Sequence, residues 1–149
     1  MKLDKTLLLI LLVDSLIWLR SGWGKFSGGK FVEDLPKTLD RFSSQNPHLW
    51  YKGILGVIRE NHNVWGNLIM YGELVSSLVI LVGVIFGWFR IYSKPLLVLM
   101  AAALLGLSFM NLNFYLASGW TSPSSDGLNL LMFAVQIFVA FKFLSLLKK

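Results

Sequence analysis

The stretch Gly66–Phe89, GNLIMYGELVSSLVILVGVIFGWF, decides the fold. About 20 apolar residues in a helix cross the hydrocarbon core of a bilayer, and this run meets that length with one charge, Glu73. Three other runs read the same way: about Thr6–Trp23, Pro95–Ala117 and Leu128–Leu147. Four such runs predict an all-α integral membrane four-helix bundle, a single membrane domain over residues 1–149.

Composition supports the membrane reading. Hydrophobic residues make up 55% of the chain, and mean hydropathy is +0.63. The lipid bilayer is therefore the first expected partner. There is no cysteine, which excludes a disulfide framework and a thiol relay. The two histidines, His48 and His62, lie outside the spans, which argues against a haem held within the bundle. No metal-ligand spacing, phosphate-binding glycine loop or nucleophile elbow occurs. The net charge of +6 comes from basic residues that flank the spans, where headgroups lie. Nucleic acid is not an expected partner. Lys2 and Lys5 make a basic start before span one and Leu7–Val13 an apolar core, but no small-residue cleavage site follows, so it is read as a retained span and not a leader.

The segment from about residue 25 to 65 is long for a structureless connection. Phe31, Leu35, Leu39 and Phe42 recur at helical spacing, with Pro36 expected in the first turn. Asn46-Pro47 reads as an N-cap followed by proline at the first helical position. After it come Leu49, Trp50, Ile54, Val57 and Ile58 as an apolar stripe. The expectation is two short amphipathic helices lying on the bundle or the membrane surface. Ser93-Lys94-Pro95 is a tight turn, and Ser125 or Asp126 is the expected cap of span four.

An even number of spans places both termini on one side. Lys2, Lys5, Arg90, Lys94, Lys142, Lys148 and Lys149 fall there, and Lys25, Lys30, Lys37, Arg41, Lys52 and Arg59 fall on the other. The second set is spread along a long loop, where basic residues count for less, so termini inside is expected.

A charge at membrane depth is costly and persists when it is paired or faces a polar interior. Arg20 lies about 6 Å and Glu73 about 10 Å below the loop-side surface at 1.5 Å per residue. Asn111, Asn113, Asn129 and Gln136 fall in the same half, and Trp120 lies in the short loop beside them. Depth makes Glu73 the expected partner of Arg20. Asp14 is set aside as close to mid-membrane, although it shares a rough stripe with Ser21 and Lys25. Asn111 and Asn113 point about 200° apart on a helix, so both cannot line one pocket. The candidate substrate-binding set is Arg20, Lys25, Asn111, Asn113, Trp120, Asn129 and Gln136, with Glu73 as proton carrier. Ordinary readings stand beside it. An Arg20–Glu73 pair can be plain helix glue, at about 0.6 kcal/mol for an interhelical polar contact. Arg20 can snorkel to headgroups, Asn129 can cap a helix start, and Gln136 can bridge two helices.

Several motifs carry a resemblance. Arg20-Ser-Gly-Trp-Gly-Lys25-Phe26, Phe42-Ser-Ser-Gln-Asn-Pro47-His-Leu-Trp50-Tyr51 and Tyr71-Gly72-Glu73 with Gly83, Gly87 and Arg90 occur in order. Asn111-Leu-Asn113-Phe114, Ala117-Ser-Gly119-Trp120 and Asn129 follow. Together they resemble the DoxX-like membrane family, in particular its branch with the DoxD-type small subunit of thiosulfate:quinone oxidoreductase. The resemblance covers nearly the whole chain. It implies a four-helix bundle with a long extracytoplasmic connection, in the plasma membrane of a prokaryote, with cytoplasmic termini. It implies a subunit of a redox complex, with thiosulfate and quinone as substrates, no covalent cofactor, and a second redox subunit or a homo-oligomer as partner. Arg20, Lys25, Glu73, Asn111, Asn113 and Asn129 stand at the family's signature positions. The alternative function is a non-catalytic anchor or assembly partner. A small-solute carrier is a weaker third.

Overall fold

A computed structural model of the chain describes residues 4–147. Lys2, Lys148 and Lys149, counted above among the flanking basic residues, lie outside the described residues. Six helices occur among the described residues, with no strand. They are α1 (Lys5–Gly28), α2 (Phe31–Ser44), α3 (Leu49–Glu60), α4 (His62–Trp88), α5 (Lys94–Ser118) and α6 (Pro123–Leu146), with a 3-10 turn at Gly119–Thr121. Helices α1, α4 and α6, and α5 with its turn, are long and apolar enough to cross a membrane. The chain is a multi-pass membrane protein.

The spanning helices run past the apolar stretches that announced them. Apolarity ends where lipid ends, but backbone hydrogen bonding continues into the headgroup region. Helix α1 starts at Asp4, whose carboxylate accepts from the Thr6 amide, and ends at Gly29 in the left-handed region (φ 68°). Ser93 caps α5 through the Leu96 amide. Helix α6 is capped by Ser122, whose hydroxyl accepts from the Ser125 amide, with Pro123 at the first helical position. That corrects the expected caps at Ser125 and Asp126, both of which lie inside the helix.

Backbones run closest between α1 and α4, between α5 and α6, and between α4 and α5. Helix α1 reaches α5 and α6 through side chains: Trp18 stacks on Phe114 at 6.1 Å, and Asp14 meets Gln136. The main core lies towards the chain termini, around Leu8, Leu11, Val84, Leu97, Met100 and Phe143. A smaller cluster around Leu35, Leu39, Tyr51 and Leu55 seats α2 and α3 on the other end of the bundle.

Three local expectations are corrected. Pro36 sits a full turn inside α2, so one intrahelical hydrogen bond is missing there. Helix α3 begins at Leu49, after Pro47, and Asn46 does not cap it. The α3 face that seats on the bundle carries Tyr51 and Leu55, while Leu49, Trp50, Ile54 and Val57 are exposed. The eye catches the longer apolar stripe, but Tyr51 has a polar partner waiting at the bundle surface.

Candidate functional site

Two polar clusters are enclosed by the spanning helices. The first depends on a close helix crossing. A Cβ at Gly22 would stand 2.9 Å from Leu74 Cγ and 3.0 Å from its backbone nitrogen, so glycine lets α1 lie against α4 beside Glu73. One turn on, Lys25 Nζ donates to both Glu73 carboxylate oxygens, at 2.8 and 2.7 Å, and to Ser21 Oγ at 2.7 Å. Glu73 is fully buried, and the Lys25 side chain is 20% exposed. Charge compensation by a single ammonium is what holds a carboxylate at this depth. Lys25 Nζ also lies 5.4 Å over the Phe31 ring, which closes the pair from the α2 side.

Arg20 is not the partner of Glu73. It is exposed and makes no side-chain hydrogen bond or ion pair among the described residues. Depth alone suggested the pairing, but face decides it. The face of α1 against α4 is marked by Gly22 and Lys25, and Arg20 sits two residues from Gly22, about 200° around the helix. Arg20 instead lines an open groove of about 590 Å³ between α1 and α2, with Ser21, Lys25, Lys30 and Asp34 among its walls. Glu73 compensates Lys25, and Lys37 pairs with Asp34 at 3.4 Å, so the uncompensated wall charges are Arg20 and Lys30, a net of about +2 by formal charge.

The second cluster joins three helices. Gln136 Nε2 donates to Asp14 Oδ1 at 2.8 Å, and Asn111 Nδ2 donates to Gln136 Oε1 at 2.7 Å. All three are buried, at 6%, 0% and 1% exposure for Asp14, Gln136 and Asn111. Asp14 Oδ2 and Trp18 Nε1 have no hydrogen-bond partner among the described residues. Setting Asp14 aside is therefore a correction. Helix α6 starts at Pro123 and not near Leu128, and α1 ends at Gly28. Gln136 and Asp14 then lie about 20 Å and 21 Å from their loop-side helix ends, at matching depth.

The other expected site residues are dispersed. Asn113 faces the roof: the Tyr51 hydroxyl donates to its Oδ1 at 2.7 Å, and its Nδ2 donates to the Phe109 carbonyl. Burial pushes the Tyr51 phenol up to about 12, so it stays a donor. This pair borders an apolar groove of about 440 Å³ among α3, α4 and α5. Trp120 Nε1 donates to the Ala117 carbonyl at 2.9 Å, and Asn129 Nδ2 reaches Ser125 Oγ at 3.4 Å. Neither joins a cluster. No group of three His, Cys, Asp or Glu residues that could hold a metal occurs among the described residues.

Four residues outside the expected set matter. Ser21 and Asp14 had a signal, since they share a stripe with Lys25. Tyr51 and Asn46 had none that a single sequence reveals. Asn46 is 2% exposed; its amide donates to the Leu116 and Ala117 carbonyls at 3.0 and 3.2 Å, and its oxygen accepts from the His48 amide. It ties the α2–α3 turn to the last carbonyls of α5, which the helix cannot satisfy itself.

Comparison with known proteins finds no matching family model, curated protein or solved structure. The DoxX-like resemblance rests on the motifs quoted above and on nothing beyond them.

Proposed function

We propose that the protein is a DoxX/DoxD-type membrane subunit of a redox complex that moves electrons from a small sulfur oxyanion such as thiosulfate to a quinone. The loop end faces outward from a prokaryotic plasma membrane, and the termini are cytoplasmic. The observation that carries the reading is the Lys25–Glu73 pair set behind a groove walled by Arg20 and Lys30. Guanidinium and ammonium groups suit an oxyanion. Two thiosulfates joined as tetrathionate release two electrons, and a quinone takes up two electrons and two protons. The quinone's two protons come from the aqueous side, and Glu73, held by Lys25 behind the groove wall, is the proposed carrier of a proton towards the quinone. The apolar groove by Tyr51 and Asn113 suits a quinone, with the phenol donating to a quinone carbonyl. Electrons pass between the two bound substrates or through the partner subunit.

The test is thiosulfate-dependent reduction of a soluble quinone by the purified complex in proteoliposomes. Glu73→Gln abolishes turnover, and Arg20→Ala raises the thiosulfate KM about tenfold, the loss of one charge-assisted contact. Unchanged turnover in Glu73→Gln removes the proton role. A second reading, a non-catalytic anchor or assembly partner, is favoured by the way one ammonium satisfies both Glu73 oxygens. In that case neither thiosulfate nor quinone raises the melting temperature.

A further inference from the structure

We propose that Asp14, Gln136 and Asn111 form a proton-binding site enclosed in the bundle, and that loading it reverses the direction of the hydrogen bonds along the two amides. The proposal is independent of the redox reading. It starts from an imbalance: Asp14 is 6% exposed, one carboxylate oxygen accepts a single bond from a neutral amide, and the other has no partner among the described residues.

No cation faces Asp14 from the elements around it. On α1, Lys5 is exposed at the helix start and lies over the Trp88 ring, Arg20 is exposed on another face, and Lys25, about 16 Å along the helix at 1.5 Å per residue, is engaged by Glu73. On α4 the titratable groups are His62, Tyr71 and Glu73: the first two lie nearer the loop end, and Glu73 bonds to Lys25. Helix α5 offers Lys94 and Tyr115 near its two ends, and α6 offers Asp126 and Lys142, both exposed. The groups that touch Asp14 from across the bundle are neutral amides. A carboxyl group in such a place takes a proton as its counterion. A hard metal ion would need several oxygens, and Gln136 Oε1 is already occupied by Asn111.

The amides make the site two-state. A carboxamide has a donor end and an acceptor end of nearly the same shape, and a half-turn of its last torsion exchanges them. With Asp14 ionised, Gln136 Nε2 donates to it and Asn111 Nδ2 donates to Gln136 Oε1, the arrangement seen here. With Asp14 protonated, its O–H can donate to Gln136 Oε1, and Gln136 Nε2 then donates to Asn111 Oδ1. Both states keep two hydrogen bonds across α1, α6 and α5. One proton arrives at the Asp14 carboxylate, and no other covalent bond forms or breaks. The relay spreads a protonation on α1 to the α5–α6 pair.

The experiment is a pH titration of the full chain in proteoliposomes with 13C-labelled aspartate carboxyls and 15N-labelled glutamine side chains. The chain has five aspartates, and Asp14→Asn identifies the resonance of Asp14. The expected result is an Asp14 carboxyl that passes between the ionised and the neutral shift within the titration, with a midpoint apart from that of the exposed aspartates. The Gln136 side-chain nitrogen should move with the same midpoint and become pH-independent in Asp14→Asn. Gln136→Met, which removes the donor to the ionised form, should move the Asp14 midpoint up by about one pH unit. An Asp14 resonance that is ionised throughout overturns the proposal. So does a shift on exchanging potassium for sodium at constant pH, which would make this a metal-cation site. The wild-type titration decides even if the Gln136 variant does not fold.

Discussion

The two ends of the bundle are held together differently. Towards the chain termini the helices meet through apolar side chains, with Leu8, Leu11, Val84, Met100 and Phe143 nearly or fully buried. Towards the loop end they meet through Lys25–Glu73, Tyr51–Asn113 and the Asn46 tether, with Asp14–Gln136–Asn111 below them at mid-bundle. Lipid tails are as apolar as leucine, so van der Waals packing holds the termini end without specifying much chemistry. A polar end costs desolvation at every group, and is worth that cost only where register, binding or proton handling needs it. The asymmetry therefore locates function without naming it.

The strongest way to break this comparison is to leave one polar partner alone. Lys25→Met strands the Glu73 carboxylate and should destabilise the bundle by about 3 kcal/mol or more, as removal of one member of a buried ion pair does. Lys25→Met with Glu73→Leu should recover most of that loss, because an apolar pair of similar volume carries no desolvation cost. Unfolding in mixed micelles measures both. If the double variant is no better than the single, the pair does more than compensate charge.

A second probe is pH. The Tyr51 phenol titrates near 10 when free and at about 12 when α3 is docked. The docked state keeps a proton that the undocked state releases. The benefit is therefore fully present below pH 10 and is lost as pH rises to about 12, a total of about 2–3 kcal/mol. The difference in tyrosinate absorbance between wild type and Tyr51→Phe should titrate near 12. A midpoint near 10 would mean that α3 is not seated on the bundle.

The third lies at the seam. Asn46→Ala removes the donor to the Leu116 and Ala117 carbonyls and the acceptor for the His48 amide, and should cost about 1–2 kcal/mol. Protease cleavage between α2 and α3 should quicken, while the core towards the termini stays protected.

Much of this architecture is legible in the sequence, and the failures are instructive. Hydropathy and length find the spanning helices, because burial in lipid demands continuous apolarity. Helical spacing finds α2 and α3. Depth counting brings Glu73 and Asn111 to the same end. It fails for Arg20, where face overrides depth, and for Asp14, where an error in the start of α6 misplaces Gln136 by about 7 Å at 1.5 Å per residue. Asn46 reads as a helix cap because Asn-Pro does so locally. Its actual partners are carbonyls some seventy residues away, and no local pattern encodes such a contact.

The smallest test lies at the apolar end, in a backbone detail. Arg90 is the one non-glycine residue with positive φ (62°) among the described residues. It closes α4: the Arg90 amide donates to the Gly87 carbonyl, and the Ile91 amide donates to the Phe86 carbonyl at 2.8 Å. That is the helix-ending pattern which favours glycine at the left-handed position. An L side chain there costs about 1 kcal/mol. Arg90→Gly should therefore stabilise the isolated bundle by about 0.5–1 kcal/mol, less the entropy that glycine adds to the unfolded chain. A gain would leave Arg90 a strained cap, retained for its charge beside the membrane surface and not for folding. A loss of stability would mean that the guanidinium holds the α4–α5 turn. The termini end would then also depend on a polar group, and the contrast between the two ends would narrow.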